Sequence, residues 1–250
     1  MPPRRRTNPI ERALREEGRL TAGIDEVGRG PLAGPVVACA IIMPIDGRAI
    51  PGVADSKLLT PEARERLYPV ILSRALAVGV GAASVREIER DNIYYASVRA
   101  MQRAVARLAV APQAVLVDGR RIPSLGFPHQ AIVDGDRKCY CIGCASIIAK
   151  VIRDRLMVRL SLRYPGFGWE HNAGYATPEH LGAIGRQGAT VHHRVTFLRP
   201  EHAPNRENCD GEEGSDVARP GVHRLPPESV GRDSLAVDVV QSADSLRFPS

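Results

Sequence analysis

No run of eighteen apolar residues occurs anywhere in this 250-residue chain, which excludes a membrane-spanning helix. The opening Met1-Pro-Pro-Arg-Arg-Arg is not followed by the apolar stretch that a secretory signal needs, so the expectation is a soluble, cytoplasmic protein, with a monomer as the default. Cysteine is sparse and odd in number, five in all, with three crowded into Cys139-Tyr-Cys141-Ile-Gly-Cys144. Neighbours two or three apart are badly placed for a disulfide framework, which points to a reducing compartment. Three thiols in that spacing with no evident fourth ligand also make a poor tetrahedral zinc set, and we read them as small buried residues. No internal repeat is evident.

Acidic residues are in deficit over most of the chain. Residues 1–200 carry 29 basic against 18 acidic side chains, a net +11, whereas residues 201–250 carry ten acids against five arginines, a net −5. A body this basic suits a polyanionic partner, with nucleic acid first, because neutralising phosphates releases counterions.

What is present reads in order. Residues 1–19 are expected to form a flexible basic arm and residues 201–250, rich in proline, glycine, serine and acids, a disordered acidic tail. Between them, strand signals cover Thr21–Val27, Ala33–Met43, Leu76–Ser84, Ala114–Val117 and Gln130–Val133. Thr60-Pro61 is a cap followed by proline in the first helical turn, predicting a helix to about Ala75. Ser84-Val-Arg-Glu87 is a capping box, and Tyr94, Val98, Met101, Val105 and Leu108 recur at helical spacing as a core stripe. Helices are also predicted over Ala145–Arg163 and from Thr177-Pro178 to about Gly188. This alternation predicts an α/β sheet sandwiched by helices, with ligands beyond the carboxyl ends of strands.

Four acids fall at such ends: Asp25 and Glu26 among the last residues of the first strand, Asp118 after the fourth, and Asp136 after the fifth. Alone, Asp118-Gly119 reads as a turn and Asp134-Gly135-Asp136 as a hairpin. Together, acids from three strands would repel one another and lose hydration unless a hard divalent cation joined them, as in two-metal hydrolysis of a phosphodiester. The following Gly28-Arg29-Gly30 lets backbone amides approach a sugar or phosphate.

These residues resemble bacterial ribonuclease HII. The resemblance rests on GIDEVGRGPLAGPVVACAI at 23–41, Asp55-Ser56-Lys57-Leu58-Leu59-Thr60, Val117-Asp118-Gly119, Asp134-Gly135-Asp136-Arg137-Lys138, Ala145-Ser146-Ile147-Ile148-Ala149-Lys150-Val151-Ile152-Arg153-Asp154 and Gly174-Tyr175. It spans roughly residues 20–200, in order, and reaches neither tail. It implies a ribonuclease H-like fold with a mixed central sheet flanked by helices and a helical C-terminal portion. It also implies cleavage of RNA in RNA·DNA hybrids and incision 5′ of single ribonucleotides in duplex DNA with Mg²⁺ or Mn²⁺. By the same match, Asp25, Glu26, Asp118 and Asp136 are the catalytic metal ligands. Gly28, Arg29 and Gly30 would lie against the ribose 2′-hydroxyl and flanking phosphate, and Tyr175 would pack on the sugar at the RNA–DNA junction. Lys57, Lys138, Ser146 and Lys150 are candidates for phosphate contact, though a capping serine and a solvated lysine near a helix start need no substrate.

Arg153-Asp154 reads as a structural ion pair or cap, and His192-His193-Arg194 resembles the family's basic surface segment near its C-terminal end, which could touch DNA, with a satisfied surface histidine as the default. Asn172-Ala173 stands where the family often has a lysine, and the three clustered cysteines where it usually has serine and alanine. Leu246 and Phe248 have the spacing of a short sliding-clamp peptide, with Ala243 where glutamine is wanted. The alternatives are another two-metal nuclease, such as a junction resolvase or ribonuclease HIII, and a non-catalytic hybrid-binding protein. The DEVGRG stretch argues against a resolvase, the want of an additional N-terminal domain against ribonuclease HIII, and the four acids against a mere binder.

Overall fold

Period-two alternation in one strand organises the molecule. In the computed structural model, which describes residues 8–53 and 56–199, Val37, Cys39 and Ile41 face one side of a five-stranded sheet and Val36, Ala38 and Ala40 the other, all fully buried. The described chain runs α1 (Pro9–Glu16), β1 (Thr21–Val27), β2 (Val36–Ile42), α2 (Pro61–Arg74), β3 (Ala77–Ala83), α3 (Val85–Ala106), β4 (Ala114–Asp118), β5 (Gln130–Ile132), α4 (Gly135–Lys138), α5 (Tyr140–Arg163), α6 (Trp169–Asn172) and α7 (Pro178–Gln187). The sheet order is β3-β2-β1-β4-β5, with β1 antiparallel to β2 and parallel to β4. This is a mixed sheet flanked by helices, as the resemblance implies.

Helix α3 covers one face and α5, with α2 outside it, the other. Gly23 permits the second contact: a Cβ there would stand 2.4 Å from the carbonyl carbon of Cys141, so only hydrogen lets the first turn of α5 lie against β1. Cys39, Cys139, Cys141 and Cys144 are buried and none forms a disulfide, in line with the reading of the last three as small interior residues.

Several expectations need correction. The arm expected over residues 1–19 is instead ordered over Pro9–Glu16 as a capped helix, and Glu11 is buried with its carboxylate accepting from the backbone N–H of Tyr140 (2.7 Å) and Cys141 (2.8 Å). That carboxylate caps α5 from a distance, because the helix has no side-chain cap of its own at Cys139. Helix α5 therefore starts at Tyr140, five residues before the expected Ala145, so Ser146 is not a capping residue but sits within the helix, 4% exposed. In α3 the chain kinks at Asn92 (φ 67°), whose side chain accepts from the N–H of Tyr94 (2.9 Å) and restarts the helix. Val98 and Met101 are core, whereas Tyr94 is 37% exposed and hydrogen-bonded to Ser124. The second strand begins only at Val36 because Gly34 (φ 82°) and Pro35 turn the chain ahead of it. The acidic tail, with Leu246 and Phe248, and Asp55 lie outside the described residues. Among the described residues no helix is long and apolar enough to cross a membrane.

Candidate active site

Parallel pairing fixes the first site element. Ile24 of β1 registers with Val117 of β4, so Asp25 and Asp118, the next residue on each strand, leave the sheet side by side. The carboxylates feel one another. Burial pushes the Asp25 pKa well above the usual carboxylate range, and the charges of Glu26 and Asp118 push it further. Glu26 is raised as well, by burial first, with Asp118 adding and Arg29 opposing. Asp118 Oδ1 accepts from the N–H of Gly135 at 2.6 Å, which ties β4 to the turn carrying Asp136, itself 5% exposed.

In this arrangement local donors occupy the carboxylates. Asp25 Oδ1 accepts from the N–H of Glu26 (2.7 Å), and Glu26 Oε1 from Arg29 Nη1 (3.2 Å). Among the described residues no three of His, Cys, Asp and Glu already stand at metal-ligand spacing. The donor chemistry nonetheless fits a hard divalent ion: every ligand is a carboxylate oxygen, and like charges held together in a low dielectric are what such an ion relieves.

Around the acids, Ser146 of α5 hydrogen-bonds Asp25 and shares a 2.7 Å hydrogen bond with the buried hydroxyl of Ser56. The structure thus places Ser146 behind the acids rather than at a helix start. Lys57, beside Ser56, is exposed, and Lys150, one turn along α5 from Ser146, donates to Asp154 at 2.7 Å. Asp154 also faces Arg64 at 3.6 Å.

The glycine turn has its own support. Gly28 has φ 90°, and a Cβ there would fall 2.1 Å from Arg153 Nε. Tyr175 is 46% exposed, and its ring edge lies 3.7 Å from where a Cβ on Gly30 would stand, so the turn and the tyrosine share one mouth. Asn172, 9% exposed, donates to the carbonyl of Phe167 and accepts from the N–H of Gly174, holding the Gly174-Tyr175 turn where a family lysine was expected.

Two arginines beneath this turn overturn their sequence readings. Arg153 does not pair with Asp154: it is fully buried and donates to the carbonyls of Pro35, Ala173 and Ala33 at 3.0–3.1 Å. His193 and Arg194 are not a surface segment, being 2% and 0% exposed. Burial lowers the Arg153 pKa to about 10 and that of Arg194 to about 9, so both remain cationic at neutral pH. His193 joins a buried relay: Trp169 Nε1 donates to His180 Nε2 (3.0 Å), His193 Nε2 meets the same atom (3.0 Å), and the N–H of Thr190 donates to His193 Nδ1. With His180 Nδ1–H donating to the carbonyl of Tyr175 at 2.8 Å, both imidazoles are neutral, and the single lone pair of His180 Nε2 is shared between the Trp169 and His193 donors. No local pattern announces that Ser56 supports Ser146 or that Arg153 and Arg194 brace the glycine turn, since their partners come from distant segments.

The ribonuclease HII family model matches residues 22–202. The chain belongs to the ribonuclease HII family. A ribonuclease HII from Granulibacter bethesdensis is 52% identical over 193 residues, covering 76% of this chain and 88% of that protein. Among solved structures, ribonuclease H2 from Pyrococcus horikoshii is 28% identical with TM-score 0.60, covering 70% of this chain and 92% of that one. The ribonuclease HII of Archaeoglobus fulgidus, solved as a complex with PCNA, is 25% identical with TM-score 0.58, covering 71% and 93%. Membership makes the chain a ribonuclease H endonuclease, a hydrolase.

Proposed function

We propose that this protein nicks the strand on the 5′ side of a single ribonucleotide embedded in duplex DNA, and cleaves RNA in RNA·DNA hybrids, by metal-assisted phosphodiester hydrolysis. The observation that carries the reading is the β1–β4 register, which brings Asp25, Glu26 and Asp118 to one end of the sheet beside the Gly28-Arg29-Gly30 turn and Tyr175. Asp25, Glu26, Asp118 and Asp136 would hold a pair of Mg²⁺ or Mn²⁺ ions. What the metal supplies when bound is Lewis-acid neutralisation of the phosphoryl charge and a nucleophilic water at neutral pH.

The chain's own residues supply position and selection. Ser146, fixed by Ser56, orients the Asp25 carboxylate. The amides of the glycine turn bind the 2′-hydroxyl, the one group that separates a ribonucleotide from its neighbours, and Tyr175 packs on its sugar. Arg29, Lys57 and Lys150 contribute cationic charge toward the flanking phosphates, Lys150 by exchanging Asp154 for substrate.

The test is strand-specific end mapping on a duplex with one central ribonucleotide, with Mg²⁺, Mn²⁺ or EDTA. The expected product is one nick immediately 5′ of the ribonucleotide, with a 5′-phosphate, made with either metal and not with EDTA. Binding without any nick would make the chain a hybrid-binding protein, and cuts on an all-DNA duplex would make it another kind of nuclease.

A further inference from the structure

The turn read above as the 2′-hydroxyl contact is held from below by one side chain. Arg194 Nη2 donates to the carbonyl of Gly28 (2.6 Å) and Nη1 to that of Arg29 (2.9 Å), while Nε and Nη2 both reach the carbonyl of Gly34 (3.0 and 2.7 Å). The guanidinium is itself anchored: the N–H of Arg194 donates to the carbonyl of Leu32 (2.7 Å), the N–H of Gly34 to that of His192 (2.9 Å), and the cation lies 5.2 Å from the centre of the Phe197 ring. Burying a cation is costly unless its donors are used, and here a rigid planar fork meets three carbonyl oxygens.

Peptide geometry carries the consequence. The bonds here are trans, so each carbonyl and the N–H that follows it point in opposite directions across a planar unit. With the carbonyls of Gly28 and Arg29 turned inward to Arg194, the N–H groups of Arg29 and Gly30 turn outward, away from the guanidinium. Two successive N–H groups on one side of a turn make a concavity for an oxygen. Arg153 braces the same loop at Ala33, Pro35 and Ala173.

We propose that Arg194 is a positioning residue for substrate discrimination: it locks the Gly28 and Arg29 carbonyls inward and thereby aims the Arg29 and Gly30 amides at the 2′-hydroxyl of the ribonucleotide to be cut. This rests on the functional reading above. Arg194 itself touches no substrate. A lysine keeps the charge but has no fork to span Gly28, Arg29 and Gly34 together, so Arg194→Lys loosens the turn while leaving the phosphate contacts of the exposed basic surface.

The test uses full-length protein in an Asp118→Asn background, so that bound duplex stays intact. Affinity is measured for a duplex with one ribonucleotide and for the same duplex in all-DNA form, with and without Arg194→Lys. The ratio of the two affinities is the readout, because a smaller folded fraction changes both equally. The expected result is a ratio that falls by roughly tenfold, the worth of two neutral hydrogen bonds, with all-DNA affinity nearly unchanged. An unchanged ratio overturns the proposal. Absence of discrimination before Arg194 is altered overturns the functional reading instead. Should Arg194→Lys not fold, the amide resonances of Arg29 and Gly30 in the Asp118→Asn protein decide: they shift with the ribonucleotide duplex and not with the all-DNA duplex, and equal responses to both refute the aim assigned to them.

Discussion

Asp25 is the residue whose environment is least comfortable without a cation. Its raised pKa means that the folded chain binds a proton more tightly than the unfolded chain. In metal-free protein, stability therefore falls as pH rises from the ordinary carboxylate value through the raised one. Asp25→Asn removes that charge and keeps an oxygen able to accept the N–H of Glu26. The metal-free variant is expected to melt roughly 2–4 °C higher at neutral pH and to lose cleavage; an unchanged or lower melting temperature would contradict the electrostatic account. His193 has the opposite sign. Burial and the neighbouring His180 lower its pKa to about 3, so below about 6.5 the unfolded chain takes up a proton that the native site refuses. Its contribution is intact above that pH and is lost toward pH 3, by at most about 1.4 kcal/mol per pH unit. Urea unfolding across this range should show the loss and a shallower slope for His193→Gln, whereas parallel slopes would remove His193 as the cause. The strand-end acids and the glycine turn were legible because they are contiguous and end apolar runs. Arg153 and Arg194 were not, because an arginine that saturates distant carbonyls looks in sequence like any surface cation.

At the scale of elements, α1 and α5 form a unit that local patterning divides. Cys139-Tyr-Cys141-Ile-Gly-Cys144 offers no cap and weak helical preference, so the sequence places the start of α5 at Ala145. The missing cap is Glu11, about 130 positions away in sequence, and no local pattern could announce it. Strand α/β alternation, the Thr60 and Thr177 caps and the Ser84–Glu87 box were all readable, since each depends on residues within one turn. Glu11→Ala leaves two N–H groups at the start of α5 without their acceptor and should cost about 1–2 kcal/mol in chemical denaturation. Because that first turn lies against Gly23, two residues before Asp25, cleavage should fall along with stability. A cost within about 0.3 kcal/mol would mean that water replaces the carboxylate and α1 is dispensable.

For the whole molecule, the proposed function assigns sequence-independent attraction to a duplex to the net +11 of residues 1–200 and selection to the small mouth between Gly30 and Tyr175. The two terms separate by salt. Affinity for an all-DNA duplex should drop by tenfold or more between about 50 and about 200 mM salt, while the ratio of ribonucleotide to all-DNA affinity stays nearly constant; a salt-dependent ratio would mean that phosphate contacts, not the 2′-hydroxyl, discriminate.

The central claim is that acids from separate strand ends act as one metal-dependent centre, and Asp118→Asn tests it most directly. The asparagine retains an oxygen for the N–H of Gly135, so the tie from β4 to the Asp136 turn is preserved and only the charge is lost. Under single-turnover conditions with saturating Mg²⁺ or Mn²⁺, the nick 5′ of an embedded ribonucleotide should slow by at least about a thousandfold while duplex binding is kept. A rate within about tenfold of the original would contradict the account and remove Asp118 from the centre.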